Sequence, residues 1–248
     1  MICNVMAIVN VTPDSFSDGG LYYRPEEALR RAHNAVAEGA AILDFGAEST
    51  RPGATPLTAE REIERLRPVL EPFASTSPVP VSVDTYHPET AAFALDCGAT
   101  ILNCVYPEPV PAMLALLDRH PRAELVLPWT CLDDARLDLA PYRDRLYLDP
   151  MIGFGTTREE DVALLHRIPA YARRGRVLVG ASRKRLVKKL TGEKRTGKNL
   201  GGNLGLAVWC AFHGAQVVRV HDVAETVQAL KVVAALEANP LSSQAIEI

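Results

Sequence analysis

Eight short apolar runs recur along this chain of 248 residues, and each is followed by a polar or glycine-rich turn and then by an amphipathic helical pattern. This alternation, without a break in composition, predicts a parallel sheet covered by helices. Eight β–α units in about 250 residues match the number and size of a (β/α)8 barrel, and a doubly wound open sheet is the alternative. We therefore predict one barrel domain over residues 1–248. The predicted strands are residues 6–9, 41–45, 79–83, 100–102, 124–127, 145–148, 177–180 and 216–218.

The fifth β–α unit is shorter than the others. Its connecting segment, residues 128–144, reads PWTCLDDARLDLAPYRD and has a proline towards each end, so it can supply at most a short helix. We expect a thin sector in the outer ring, with an exposed apolar barrel flank that would suit a partner subunit. The other connections predict helices over residues 25–38, 58–73, 88–97, 110–119, 158–173 and 222–237.

Charge and composition exclude several classes of protein. The chain has 27 Lys and Arg against 30 Asp and Glu, so it lacks the basic surplus of a nucleic-acid binder. The basic stretch 173–198 contains no aromatic residue and is typical of a solvated helix face. No apolar run reaches the length of about 18 residues that a membrane span needs. The five cysteines are scattered and form no CxxC pair, so we expect reduced thiols in a cytoplasmic protein, without zinc.

Polar side chains lie at the carboxyl ends of seven predicted strands. In a barrel all these ends meet at one mouth, the usual place of an active site. One such residue alone is often only a cap or a turn former, but the whole set predicts a binding site. Loops 10–20 and 48–54 follow the first two strands and are rich in turn formers, as expected of mobile loops over the mouth. The strand-end residues are Asn10, Asp44, Asp84, Asn103, Asp149, Ser182 with Lys184, and Arg219 with His221.

Six ordered segments resemble the motifs of one known family. MAIVNVTPDSFSDGG, ESTRPGA, SVDTYHPETA, LDPMIGFG, VGASRK and VVRVHDVAETVQALKV are similar to those of the dihydropteroate synthases, folate-pathway transferases that join para-aminobenzoate to a pterin. The resemblance runs from about residue 5 to about residue 236. It implies a (β/α)8 barrel, a Mg²⁺ ion, two small-molecule substrates and a homodimer.

The resemblance also implies a role for each candidate residue. Pterin would be held by Asp84, Asn103, Asp149, Lys184 and Arg219, with Asp44 adding a further contact. Para-aminobenzoate would be held by Phe16, Thr50, Pro52, Phe154, Ser182 and Lys184. Pyrophosphate would be bound by Arg51, Arg219 and His221, and Asn10 would help to hold Mg²⁺. Lys184, Arg219, His221 and Arg51 are thus the expected catalytic residues.

Four positions around the implied pterin pocket depart from the family pattern. Trp129 stands within a segment that is usually Met-His-Met, and Cys104 stands where Asp is usual. Met151 replaces a glycine and Thr156 replaces a lysine. Two other functions therefore remain open besides that of a synthase. One is a silent or altered-specificity pterin-binding paralogue that serves as a binding or assembly subunit. The other is a methyl-tetrahydrofolate enzyme, although the intact SFSDGG and STRPGA loops favour pyrophosphate chemistry.

Overall fold

Eight parallel strands close into a barrel in chain order, and the last strand pairs with the first. The computed structural model describes residues 3–12, 25–48, 56–195 and 197–238. The predicted barrel is confirmed, and the open-sheet alternative is wrong because the closing pair leaves no sheet edge. The ends of the 1–248 domain lie outside the described residues, so that range stays a prediction. The strands are β1 (Asn4–Asn10), β2 (Ile42–Gly46), β3 (Val81–Asp84), β4 (Ile101–Asn103), β5 (Glu124–Pro128), β6 (Leu146–Asp149), β7 (Arg176–Val179) and β8 (Val217–Val220).

Helices surround the barrel, and side-chain caps fix the starts of two of them. Thr58 caps one helix by accepting from the Arg61 amide, and Thr157 forms a capping box with Glu160 at another. The predicted helix 158–173 is two helices, because Pro169 has no N–H to continue the first. The helices are α1 (Pro25–Ala37), α2 (Ala59–Phe73), α3 (Pro88–Asp96), α4 (Val110–Arg119), α5 (Arg158–His166), α6 (Ile168–Ala172), α7 (Arg185–Thr191), α8 (Leu200–Phe212) and α9 (Val223–Ala238). None of these is long and apolar enough to cross a membrane.

The barrel interior has an apolar layer below a polar layer. The apolar layer is a separate cluster of buried side chains: Met6, Ile42, Ile101, Val126, Tyr147, Leu178 and Val217. Residues two apart on a strand point to the same face, so the next inward positions on four of these strands are polar. They are Asp44, Asn103, Asp149 and Arg219, and Asp84 at the end of β3 joins this layer through its contact with Arg219. The strand period therefore places a polar layer at the carboxyl end of the barrel, above an apolar floor.

The fifth β–α unit is short, as predicted, but the barrel flank is not exposed there. Between β5 and β6 the chain forms two 3-10 helices, Trp129–Asp133 and Ala140–Arg145. Apolar side chains of this segment, including Leu132, Leu137 and Tyr142, pack partly buried against the core. The expectation of an exposed apolar flank is therefore wrong, because the segment covers the flank without forming an α-helix.

Candidate active site

A guanidinium and two carboxylates form the centre of the polar layer. Arg219 of β8 donates from Nε to Asp44 Oδ2 at 2.5 Å and from Nη2 to Asp84 Oδ2 at 2.7 Å. Asn103 Nδ2 donates to the same Asp44 oxygen at 3.1 Å. Asp44 and Asn103 are buried, and Oδ1 of each has no hydrogen-bond partner among the residues that the structure describes. A buried polar atom without a partner is costly unless a ligand or water satisfies it, so this layer is suited to a polar ligand.

Burial shifts the proton affinities of these side chains. It raises the pKa of Asp84 to about 7, with Asp44 and Glu62 adding to the rise while Arg219 opposes it. Burial also raises the pKa of Asp149 and lowers that of Lys184 to about 8. Shifts of this kind, produced by burial beside specific charges in one site, are typical of functional centres.

Lys184 and the loop after β6 form one wall of the mouth. Lys184 Nζ donates to the carbonyl oxygen of Ile152 at 2.5 Å and lies 4.2 Å from the ring centroid of Phe154. The Asp149 carboxylate accepts from the backbone amide of Met151 at 2.7 Å. Met151 has φ of 64°, a left-handed conformation that explains why glycine is usual in the family at this position. Met151 adopts the required turn and leaves the Asp149 contact in place.

Ser182 and His221 join the turns after β7 and β8. The Ser182 hydroxyl lies 3.1 Å from His221 Nδ1, and the His221 amide donates to the same oxygen at 3.3 Å. The side chain of Arg31 on α1 donates to the His221 carbonyl oxygen at 3.0 Å. Both predicted site residues are therefore half-buried and fixed at one side of the mouth.

The structure brings most of the predicted residues to one end of the barrel, at or just after the carboxyl ends of its strands. These are Asp44, Asp84, Asn103, Asp149, Phe154, Ser182, Lys184, Arg219 and His221. Asn10 is exposed at the end of β1. Four candidates lie outside the described residues: Phe16, Thr50, Arg51 and Pro52.

Glu62 and Thr85 belong to the surroundings of the site and were not predicted. Glu62 on α2 is fully buried, accepts from the Thr85 hydroxyl at 2.6 Å, and its pKa is raised by burial. Its charge also raises the pKa of Asp84. A sequence signal exists, because Glu62 shares a helical stripe with buried Leu66 and Val69. A carboxylate on an apolar stripe indicates a buried partner.

Two departures from the family pattern do not enter the polar layer. Trp129 stacks on Tyr171 of α6, with ring centroids 5.2 Å apart, and so belongs to the outer ring of helices. Cys104 is buried at the end of β4, and its thiol donates to the Tyr106 carbonyl oxygen at 3.3 Å. Burial raises the pKa of this thiol to about 12, so Cys104 is neutral where the family has a charged residue.

The residues present fit a Mg²⁺ ion that is bound mainly by phosphate. In the described ranges, no group of three or more His, Cys, Asp or Glu side chains could hold a metal. Mg²⁺ commonly keeps several waters and binds one or two protein oxygens plus substrate phosphates. The amide oxygen of exposed Asn10 is a suitable single ligand for such an ion.

Comparison with known proteins identifies the family. A family model described as pterin binding enzyme matches residues 6–144 and 135–221. The dihydropteroate synthase of Streptococcus pyogenes serotype M3 is 37% identical over 239 residues, covering 88% of this chain and 90% of that protein. Xanthomonas albilineans dihydropteroate synthase with 4-aminobenzoic acid has a TM-score of 0.82 at 37% identity, covering 96% of this chain and 94% of that chain. The enzyme of the same organism with 7,8-dihydropteroate has a TM-score of 0.80 at 34% identity, covering 96% and 95%. This chain belongs to the dihydropteroate synthase family of pterin binding enzymes.

Proposed function

We propose that the mouth of this barrel catalyses the dihydropteroate synthase reaction. In this reaction the amine of para-aminobenzoate displaces pyrophosphate from the methylene carbon of a 7,8-dihydropterin. The observation that carries the proposal is the polar layer of Asp44, Asp84, Asn103 and Arg219, in a chain whose relatives of 37% identity are dihydropteroate synthases. The chain is accordingly a transferase.

The pterin ring would enter the polar layer above the apolar floor. Its edge presents N–H donors and a carbonyl acceptor, which carboxylates and amides can match. Four side chains would form hydrogen bonds with this edge. Lys184 would donate one, and the others would come from Asp84, Asn103 and Asp149. Arg219 would stack on the ring face, since a planar guanidinium stacks well on a flat ring. Asp44 holds that guanidinium in place through its 2.5 Å contact.

Pyrophosphate needs positive charge as it leaves. Arg51, Arg219 and His221 would bind its oxygens, and charge placed where the leaving group develops its own charge lowers the barrier. Asn10 would hold Mg²⁺, which when bound neutralises phosphate charge. The ion is thus a substrate-associated cofactor in this proposal.

Para-aminobenzoate would lie beside Lys184 and the loops. Phe154, whose ring contacts Lys184, and Ser182 are the described residues of this slot. Phe16, Thr50 and Pro52 complete the proposed set. The aromatic ring of the substrate suits the Phe154 face, and Lys184 lies between the slot and the pterin pocket.

The reaction depends more on the placement of charged groups than on a strong base. The carbon–oxygen bond to pyrophosphate breaks first, leaving a resonance-stabilised pterin cation. The neutral amine then attacks the methylene carbon and loses its proton to water. Holding the two substrates in line supplies much of the acceleration.

A turnover assay tests this proposal. We would follow pyrophosphate release and dihydropteroate formation with Mg²⁺, 7,8-dihydropterin-6-ylmethyl pyrophosphate and para-aminobenzoate. Lys184→Ala is expected to abolish turnover, whereas Lys189→Ala, on the exposed side of α7, is the matched control. Pterin binding without turnover in the wild type would instead indicate the silent paralogue. Near-normal activity of Lys184→Ala would overturn the proposed role of that residue.

We also propose a cytoplasmic homodimer. Apolar side chains of α8 and α9 are exposed, namely Phe212, Val232 and Leu236, and a cavity of about 210 Å³ lies between these helices and the start of β1. Exposed apolar surface of this kind suits a second copy of the chain. All five cysteines are free, which is consistent with a reducing compartment. Leu236→Glu should convert a dimer to a monomer in sedimentation velocity, and a wild type that sediments as a monomer would refute the dimer.

A further inference from the structure

The turn after β7 contains a residue in a strained conformation. Arg183 has φ of 58°, in the left-handed region that a side chain with a Cβ atom disfavours. Its neighbours in the chain are Ser182 and Lys184, both members of the proposed site. Strain at such a position persists only when surrounding contacts hold it.

Two partners supply those contacts. The guanidinium of Arg183 meets the carboxylate of Asp222 through two nitrogens, Nε to Oδ2 at 3.3 Å and Nη2 to Oδ1. The backbone amide of Arg183 donates to Asn203 Oδ1 at 3.0 Å, and Asn203 is a buried residue of α8. Side chain and backbone of Arg183 are thus both held by elements outside the turn.

Asp222 directly follows His221, so the ion pair ties the turn after β7 to the turn after β8. The carbonyl oxygen of Asp222 accepts from the amide of Thr226 at 3.2 Å and from its hydroxyl at 2.6 Å. Asp222 is therefore anchored to the first turn of α9. The contact between Ser182 and His221 runs alongside this ion pair and links the same two turns.

We propose that Arg183, Asp222 and Asn203 form a brace that orients Ser182, Lys184 and His221 for catalysis. These three are positioning residues, and their role rests on the proposed functions of the residues that they orient. A partly exposed ion pair contributes little to stability, and the side chains of Arg183 and Asp222 are 32% and 19% exposed. A two-nitrogen contact, in contrast, fixes the orientation of the turn that carries Arg183. The neighbouring Lys184 needs such a fixed position to act in catalysis.

Paired substitutions test the brace. Arg183→Gln, Asp222→Asn and the double variant should each lower kcat between about tenfold and a hundredfold, because misplacement of a catalytic group by about 1 Å has effects of this size. If the two side chains act as a unit, the double variant is no worse than the worse single variant. Arg174→Gln and Asp133→Asn break another arginine–aspartate pair, at 2.8 Å on the outer surface, and should leave kcat unchanged.

The pH profile distinguishes positioning from a general loss of structure. Lys184 faces Asp149, Arg219, Asp84 and Asp161, and burial lowers its pKa to about 8. When the brace is broken, the Lys184 side chain becomes more exposed to solvent and its pKa rises. The fall in activity at alkaline pH that deprotonation of Lys184 causes should therefore shift to higher pH. The thermal midpoint should fall by only roughly 2–4 °C, as expected for the loss of one partly exposed ion pair in a domain of this size.

Amide hydrogen exchange gives a readout that does not depend on turnover. The Arg183 amide should exchange faster in Asp222→Asn than in the wild type. Wild-type kcat and an unshifted alkaline limb in both brace variants would overturn the inference, as would losses that add in the double variant. If Lys184→Ala stays active, the proposed function of Lys184 fails, while exchange at Arg183 still reports whether the brace exists.

Discussion

Replacing Arg219 with methionine tests the charge balance of the polar layer. Arg219 pairs with both Asp44 and Asp84. Methionine keeps much of the length of the side chain but removes the cation, which leaves Asp44 and Asp84 without their ion-pair partner. We expect the variant to fold with a large loss of stability and to bind pterin pyrophosphate weakly.

The size of the loss follows from burial. Removing one partner of a buried ion pair typically costs about 3–5 kcal/mol, because the other charge is left unpaired. Asp44 is fully buried, whereas the side chains of Arg219 and Asp84 are 20% and 18% exposed, so water can reach part of the site. The lower figure of about 3 kcal/mol is therefore appropriate, and it corresponds to a fall of roughly 6–12 °C in the thermal midpoint.

The loss should depend on pH in a definite direction. Without Arg219, the pKa of Asp84 rises further above its ordinary value, since the cation opposes the effect of burial. When the pKa of a carboxyl group is higher in the folded than in the unfolded state, the protein loses stability as pH rises from the unfolded-state pKa to the folded-state pKa. The wild type shares this loss below its own folded-state pKa of about 7, so the deficit of the variant should grow as pH rises above about 7 and be smaller below it.

Urea unfolding at several pH values measures this deficit. Adding Asp84→Asn to Arg219→Met should recover part of it, because one unpaired charge is removed. Arg176→Met is the control, since Arg176 pairs with Glu124 at the amino end of the barrel, where both side chains are about 30% exposed. A deficit that is below about 1 kcal/mol, or that does not change with pH, would refute the assignment of a buried ion pair.

Four further outcomes are expected. Affinity for an unphosphorylated dihydropterin should rise between about pH 6 and pH 8 as Asp84 ionises, and calorimetry should find this dependence lost in Asp84→Asn. Chelation of Mg²⁺ should weaken pterin pyrophosphate binding but leave the unphosphorylated pterin unaffected, which competition binding can check. Trp129→Ala should lose about 2 kcal/mol in urea unfolding without a change in pterin affinity, because Trp129 is half-buried against Tyr171. Met151→Gly should gain about 0.5–1 kcal/mol in the same assay, since relief of strain exceeds the extra entropy of the unfolded chain.

The strands and the polar layer could be predicted because both depend on short-range patterns. An apolar run marks a strand, and the polar residue that ends the run takes a place at the mouth once the barrel closes. Each predicted strand boundary lies within two residues of the observed one, as for β2, predicted at 41–45 and observed at Ile42–Gly46. This pattern correctly placed three residues together at the site, namely Asp44, Asn103 and Arg219.

The contacts between distant residues could not be predicted. Arg219 and Asp44 are 175 residues apart, and Arg183 and Asp222 are 39 apart, so no local pattern pairs them. Helix α8 was missed because its sequence, LGGNLGLAVWCAF, contains three glycines that weaken the helical pattern. The cover over the fifth unit was missed because 3-10 helices have no apolar period long enough to recognise.

The charges of the polar layer suit one part of the proposed pterin pyrophosphate substrate better than the other. Among the predicted site residues that the structure describes, three carboxylates, Asp44, Asp84 and Asp149, stand with two cations, Arg219 and Lys184. Such a layer suits the neutral pterin ring, whose edge offers N–H donors to carboxylates. It does not suit pyrophosphate, because the anion would meet more negative than positive charge. Positive charge beyond that of Arg219 must therefore come from outside the layer, in our proposal from Mg²⁺, Arg51 and His221. In our proposal, therefore, the interior of the barrel recognises the pterin ring, and groups at its rim supply the further charge that pyrophosphate needs.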